Sequence, residues 1–179
     1  MSKQNREKFD SYSEDSYFKT NEKAEKRFRC INEFPEALGF DDESGGYIVL
    51  NKKHKPGGLA DEIPVCLILK KLGLGVELIA EDGAGKVLDV AIAEMTYEIK
   101  RMRQTKNLLN SVTLIFRLTY KKASRLIFHV DTKVEPSSLK RALRIVSEKY
   151  GQIKIVWIIY EGKLIVLNKE DLKEGNYRF

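Results

Sequence analysis

The 179 residues are 42% apolar, enough to fill a domain core, and carry 32 Lys and Arg against 26 Asp and Glu, a net charge of +6. No apolar run approaches the ~18 residues of a membrane-spanning helix, and the polar start has no signal-peptide core, so no membrane partner and a cytoplasmic setting are expected. The basic excess suits a polyanionic partner without requiring one; the two cysteines, Cys30 and Cys66, lie in unlike settings, and Cys66, in a run that reads as buried helix, points to a free thiol and a reducing compartment.

Residues 1–29 are rich in Lys, Glu, Ser and Asn and read as a flexible or loosely helical lead-in, with Phe9, Tyr12, Tyr17 and Phe18 as side chains able to dock. A single α/β domain is expected over 30–179. Residues 46–50 read as a strand and His54 to Gly58 as a loop. A helix follows from Leu59 to Leu72, with Pro64 near its first turn, Gly73 at its far end and Leu59, Ile63, Leu67 and Leu69 on its buried side. Residues 76–80 form a strand and 81–86 a polar turn. An apolar hairpin is predicted over 87–100, turning at Glu94-Met95. A helix over about 104–123 has Leu108, Val112, Ile115, Phe116 and Leu118 as its core side. Arg125 to Val130 is a buried strand, Pro136 opens a helix to about Tyr150, and 153–160 with 163–167 make a second hairpin carrying the core residue Trp157. The order α-β-β-β-α-β-α-β-β implies a mixed central sheet flanked by helices.

The first hairpin carries the chemistry. Successive strand residues point to opposite faces, so Glu98 and Lys100 share a face, and a two-residue turn puts Asp89 on it as well. A three-residue turn would send Asp89 to the other side. Two carboxylates supply hard oxygen ligands for Mg²⁺ or Mn²⁺, and the metal would polarise a phosphate and acidify a bound water. Lys100 would orient that water, and Glu62, on the preceding helix and one turn before Cys66, is a third candidate ligand. The competing reading is a solvated cross-strand charge pair.

Arg101, Arg103 and Lys106 follow directly and are candidates for holding the phosphates beside a scissile bond. Lys121-Lys122, and Lys140 and Arg141 with Arg144, read as solvated helix faces. His54 is the first candidate for acid–base catalysis without metal, whereas His129 reads as structural. The run Gly83 to Lys86 lacks the spacing of a nucleotide-binding phosphate loop.

From Leu59 to Val130, the Glu62 helix, a strand, the Asp89 strand, the strand with Glu98-Ile99-Lys100, a helix and a strand together resemble the PD-(D/E)XK nuclease superfamily. Leu88 stands where the motif's name has Pro. The resemblance implies a restriction-endonuclease-like αβββαβ core and metal-dependent hydrolysis of DNA or RNA, with Glu62, Asp89, Glu98 and Lys100 catalytic and Mg²⁺ or Mn²⁺ held by the three carboxylates. Leu72-Gly73-Leu74-Gly75-Val76-Glu77-Leu78-Ile79 and Tyr97-Glu98-Ile99-Lys100 are similar to the C-terminal nuclease tips of polymorphic bacterial toxins. These include contact-dependent growth inhibition proteins and domains attached to Mu-type phage head-morphogenesis proteins. That likeness implies tRNA or DNA as target, delivery into another cell's cytoplasm and an immunity protein as partner. Some of that group are metal-independent barnase/EndoU/RelE-like ribonucleases, so that chemistry stays open, as does a non-catalytic nucleic-acid-binding or phage accessory module.

Overall fold

The structure, a computed structural model, describes residues 3–8, 39–50, 59–79 and 88–179. Cys30, His54, the four aromatic residues of the lead-in and the run Gly83 to Lys86 lie outside the described residues. The chain forms two compact units, 1–96 and 97–179, each continuous in sequence.

In the first unit, a short helix α1 over residues 3–8 precedes β1 (Gly39–Phe40), β2 (Tyr47–Leu50), α2 (Leu59–Lys71), β3 (Gly75–Leu78) and β4 (Val90–Ile92). Strand β2 runs antiparallel to β1 and parallel to β3, and β3 runs antiparallel to β4, giving a mixed sheet. Helix α2 makes the β2–β3 crossover that a parallel pair requires. Its ends suit the helix dipole, with Asp61 and Glu62 in the first turn and Lys70 and Lys71 in the last. Pro64 lies deeper than the first turn, at the cost of one intrahelical hydrogen bond. Gly73, at φ +79°, ends the helix as the sequence predicts. Ile48, Ile63, Cys66, Leu69, Val76 and Leu78 are fully buried and form the heart of this unit.

Helix α1 and strand β1 have no clear signal in the sequence. Both are small and held by side-chain contacts from afar. Asn5 Nδ2 donates to Gly45 O at 3.0 Å and to Gly73 O at 2.9 Å, satisfying carbonyls of two separate turns. Arg6 bonds Asp42 at 3.0 Å and lies over the Phe40 ring.

The second unit contains most of β5 (Met95–Met102), then α3 (Leu108–Thr119), β6 (Arg125–Val130), α4 (Pro136–Lys149), β7 (Ile155–Tyr160), β8 (Lys163–Asn168) and α5 (Lys169–Glu174). Strands β5, β6 and β7 are parallel neighbours, and β8 closes the set antiparallel to β7. Helices α3 and α4 form the two crossovers. Their apolar sides meet Met102, Leu126, Phe128, Val130, Val156 and Ile158 in one buried cluster. The succession α2-β3-β4-β5-α3-β6 is the expected αβββαβ order, and each unit is an α/β structure.

Helix α3 is shorter than the predicted 104–123. The Asn107 side chain accepts from Asn110 N at 3.0 Å and fixes its start, while Tyr120 caps its end. The core side is Val112, Ile115, Phe116 and Thr119; Leu118, expected inside, is 49% exposed because it falls on the opposite side of the helix. Helix α5 was not predicted. Asn168 and Asp171 form a reciprocal capping box, and Gly175 takes the left-handed conformation at its end. The tail beyond it packs inward: Tyr177 is 8% exposed, and the Phe179 ring meets those of Tyr160 and Tyr177.

Candidate functional site

The candidate carboxylates fall in two places. In the first unit, Glu62 occupies the first turn of α2 and is only 7% exposed. Asp89 stands just before β4, where its carbonyl accepts from Ile79 N at 3.1 Å and prolongs the β3–β4 ladder. Both carboxylates act on Cys66. Burial pushes its thiol well above the ordinary value, and the negative fields of Glu62 and Asp89 push it further. Cys66 is therefore a thiol rather than a nucleophilic thiolate.

The turn after β4 is Ala93-Glu94, with φ of 48° and 67°, one residue earlier than expected. Positive φ at both central residues is the requirement of a type I′ hairpin turn. Its length is the predicted two residues. The shift has a backbone cause: β5 already begins at Met95, which cannot then serve as a turn residue.

In the second unit, Glu98 and Lys100 alternate with Tyr97, Ile99 and Arg101 along β5, on the side that also carries Met102. Glu98 is completely buried. Its Oε1 accepts from Lys100 Nζ at 2.5 Å and from Lys122 Nζ at 3.3 Å, while Lys100 also donates to Ile99 O at 3.1 Å. Among the described residues, no group bonds the buried Oε2. One carboxylate thus faces two ammonium groups and keeps one oxygen unused. A buried acceptor without a partner costs about 1–3 kcal/mol, so this is an arrangement that stability alone does not favour.

Lys122 is the residue sequence reasoning missed. It was read as part of a solvated helix face, yet it belongs to the turn after α3, where its N donates to Thr119 O at 2.8 Å. No local signal marks it. Its link to Glu98 spans 24 positions and depends on how α3 returns to β6.

The basic residues after Lys100 divide. Arg101 lies on the opposite side of β5, and both its Nε, at 2.9 Å, and a terminal nitrogen bond Asp131 Oδ2. Arg103 and Lys106 are exposed beyond the strand end. His129 pairs in register with Arg101 and is 8% exposed. Burial lowers its pKa, opposed by Asp131 and reinforced by Arg101, so it is neutral at physiological pH.

Among the described residues, no three of His, Cys, Asp and Glu gather into a metal-binding group. Mg²⁺ commonly uses only one or two carboxylates and keeps its waters, so the fit rests on the donor atoms available. The unpartnered Oε2 of Glu98 is one such hard donor. Also among the described residues, no helix is long and apolar enough to cross a membrane.

No family model and no curated protein matches the sequence. Among solved structures, the fold is similar to a chain of a CdiA-CT/CdiI toxin and immunity complex from Burkholderia pseudomallei. The two share 20% identity with a TM-score of 0.51, over 62% of this chain and 84% of that one. The likeness is one of fold.

Proposed function

We propose that the chain is a toxin-type effector domain that hydrolyses phosphodiester bonds in DNA or RNA, tRNA included, with Mg²⁺ or Mn²⁺. The observation that carries this reading is the fully buried Glu98, bonded by Lys100 and Lys122 through one oxygen and unpartnered at the other. The fold likeness to a chain from a toxin and immunity complex supports the effector class and makes a cognate immunity protein a natural partner. Delivery into a target cell's cytoplasm belongs to the same reading.

In this reading the unpartnered Oε2 of Glu98 would be the hard donor to the metal, which when bound would supply Lewis acidity to the phosphate. Lys100, held by Glu98 Oε1 and Ile99 O, would orient the attacking water and meet the negative charge growing on phosphorus. Arg103 and Lys106 contact flanking phosphates; Arg101, already engaged by Asp131, chiefly secures the end of β5.

The test incubates the protein with tRNA, plasmid and single-stranded DNA, in Mg²⁺ or in EDTA, beside Glu98→Gln. Cleavage that needs the metal and is lost in Glu98→Gln supports the proposal. Cleavage that survives EDTA and leaves a 2′,3′-cyclic phosphate selects a metal-independent ribonuclease instead. No cleavage of any substrate removes the nuclease reading.

A further inference from the structure

The positive charge around Glu98 exceeds what that carboxylate balances, and the two lysines are held very differently. Lys100 makes two hydrogen bonds, one of them at 2.5 Å, and its side chain is 26% exposed. Lys122 makes a single long contact of 3.3 Å, and its side chain is 48% exposed. The base of Lys122 is nonetheless firm, because the backbone N–H groups of Lys122 and Ala123 both donate to Thr119 O, at 2.8 and 2.9 Å. A fixed backbone beneath a loosely held, half-exposed ammonium gives a cation with defined reach. One carboxylate beside two ammonium groups leaves a unit of positive charge for an anion to meet.

We propose that Lys122 is a phosphate ligand of this site, kept at Glu98 Oε1 until nucleic acid binds and then passed to a backbone phosphate. The inference rests on the nuclease reading and deepens it by adding a substrate-binding residue from outside the β5 motif. Lys122 can leave Glu98 because its contact is the longer of the two, 3.3 Å against 2.5 Å, and its side chain is half open to solvent. A phosphate then offers a charge-assisted hydrogen bond in the same neighbourhood. Lys100 stays with Glu98, so the buried carboxylate is never left without a cation.

A purely structural role for Lys122, neutralising a buried acid, makes different predictions, and the experiment separates the two. Binding of tRNA is measured in EDTA across a salt series for wild type, Lys122→Ala and Lys122→Arg, and melting temperatures are taken for all three. A phosphate contact released on binding contributes nearly one unit to the slope of log K against log salt. Lys122→Ala should therefore lower that slope by about one and weaken binding several-fold at low salt, and Lys122→Arg should restore both. In Mg²⁺, Lys122→Ala should raise KM more than it lowers kcat, as expected for a contact already made in the ground state.

An unchanged slope with a lowered melting temperature in Lys122→Ala overturns the inference in favour of the structural role. If wild type cleaves but the slope and KM of Lys122→Ala equal its own, the inference fails while the nuclease reading stands. If wild type neither binds nor cleaves tRNA, plasmid or single-stranded DNA, both fall together.

Discussion

Lys100 and Glu98, two positions apart on one strand, meet at 2.5 Å, with the acid wholly buried and the base partly open to solvent. Neighbours at i and i+2 point to the same side of a strand but seldom bond each other tightly, so burial of the acid is what draws the ammonium down. Removing one partner of a buried pair typically costs about 3–5 kcal/mol, because it leaves an uncompensated charge. Here Lys122 remains as a second cation, and Lys100→Met should cost less, about 1–3 kcal/mol. The double variant Glu98→Gln/Lys100→Met should be more stable than the sum of its single changes by about 1 kcal/mol or more. Urea unfolding of the four proteins measures this coupling; strict additivity would show that the contact carries no energy.

The three basic residues after Lys100 should separate by readout. Arg101 is tied to Asp131, so Arg101→Ala should lower the melting temperature by several degrees and affect binding through folding. Lys106→Ala should leave the melting temperature nearly unchanged, and Arg103→Ala and Lys106→Ala should each weaken tRNA binding at low salt by a few-fold. Thermal melts beside a salt-dependent binding series make the distinction. If Arg101→Ala weakened binding with an unaltered melting curve, its assignment to the strand end would be wrong.

The turn at Ala93-Glu94 places two residues with side chains at positive φ. The left-handed conformation costs a non-glycine residue about 1–2 kcal/mol, whereas Asn-Gly is the favoured pair in a type I′ turn. Ala93→Asn with Glu94→Gly should therefore raise stability by about 1 kcal/mol. The change also removes the Lys8–Glu94 contact of 4.0 Å, which is mostly exposed and worth little. A fall in stability would mean that the Glu94 side chain contributes more than its exposed geometry allows.

Acid should reveal the cap of α4. Glu135 accepts from the Ser137 hydroxyl and from Ser138 N at 2.7 Å, and these bonds hold its carboxyl down at about 2, against an ordinary 4.5. A depressed folded-state pKa contributes stability that is complete above 4.5 and is lost as pH falls toward about 2. Glu135→Gln keeps an acceptor for Ser138 N but cannot titrate. The gap in urea midpoint between wild type and this variant should be widest above pH 4.5 and should close on approach to pH 2. A gap that stays constant across that window would deny the carboxylate its role.

Much of the fold was legible because it follows periodicity and punctuation. Leu126, Phe128 and Val130 announce β6, Pro136 announces α4, and Gly73 ends α2, all through local chemistry. The failures have local causes as well. Asn107 starts α3 later than the apolar pattern suggests, because its side chain competes for the first free N–H groups. Leu118 looked like core from hydrophobicity alone, but helical phase turns it outward. For the candidate site, the alternation of Glu98 and Lys100 could be read directly, and their bond followed. Lys122 could not, since nothing in a lysine pair after a helix reveals which carboxylate the chain's return will place beside it.

The continuity of each unit in sequence, together with the inward-packed tail, favours one order of folding as the chain is made. The first unit draws on residues up to 96 and has all of its chain available while the second is still emerging. The second buries Tyr177 within its core, so it reaches its full complement of contacts only when almost its last described residue has arrived. Glu98 belongs to that later unit. During synthesis, the acid at the centre of the candidate site is therefore assembled late, after the first unit has had time to form.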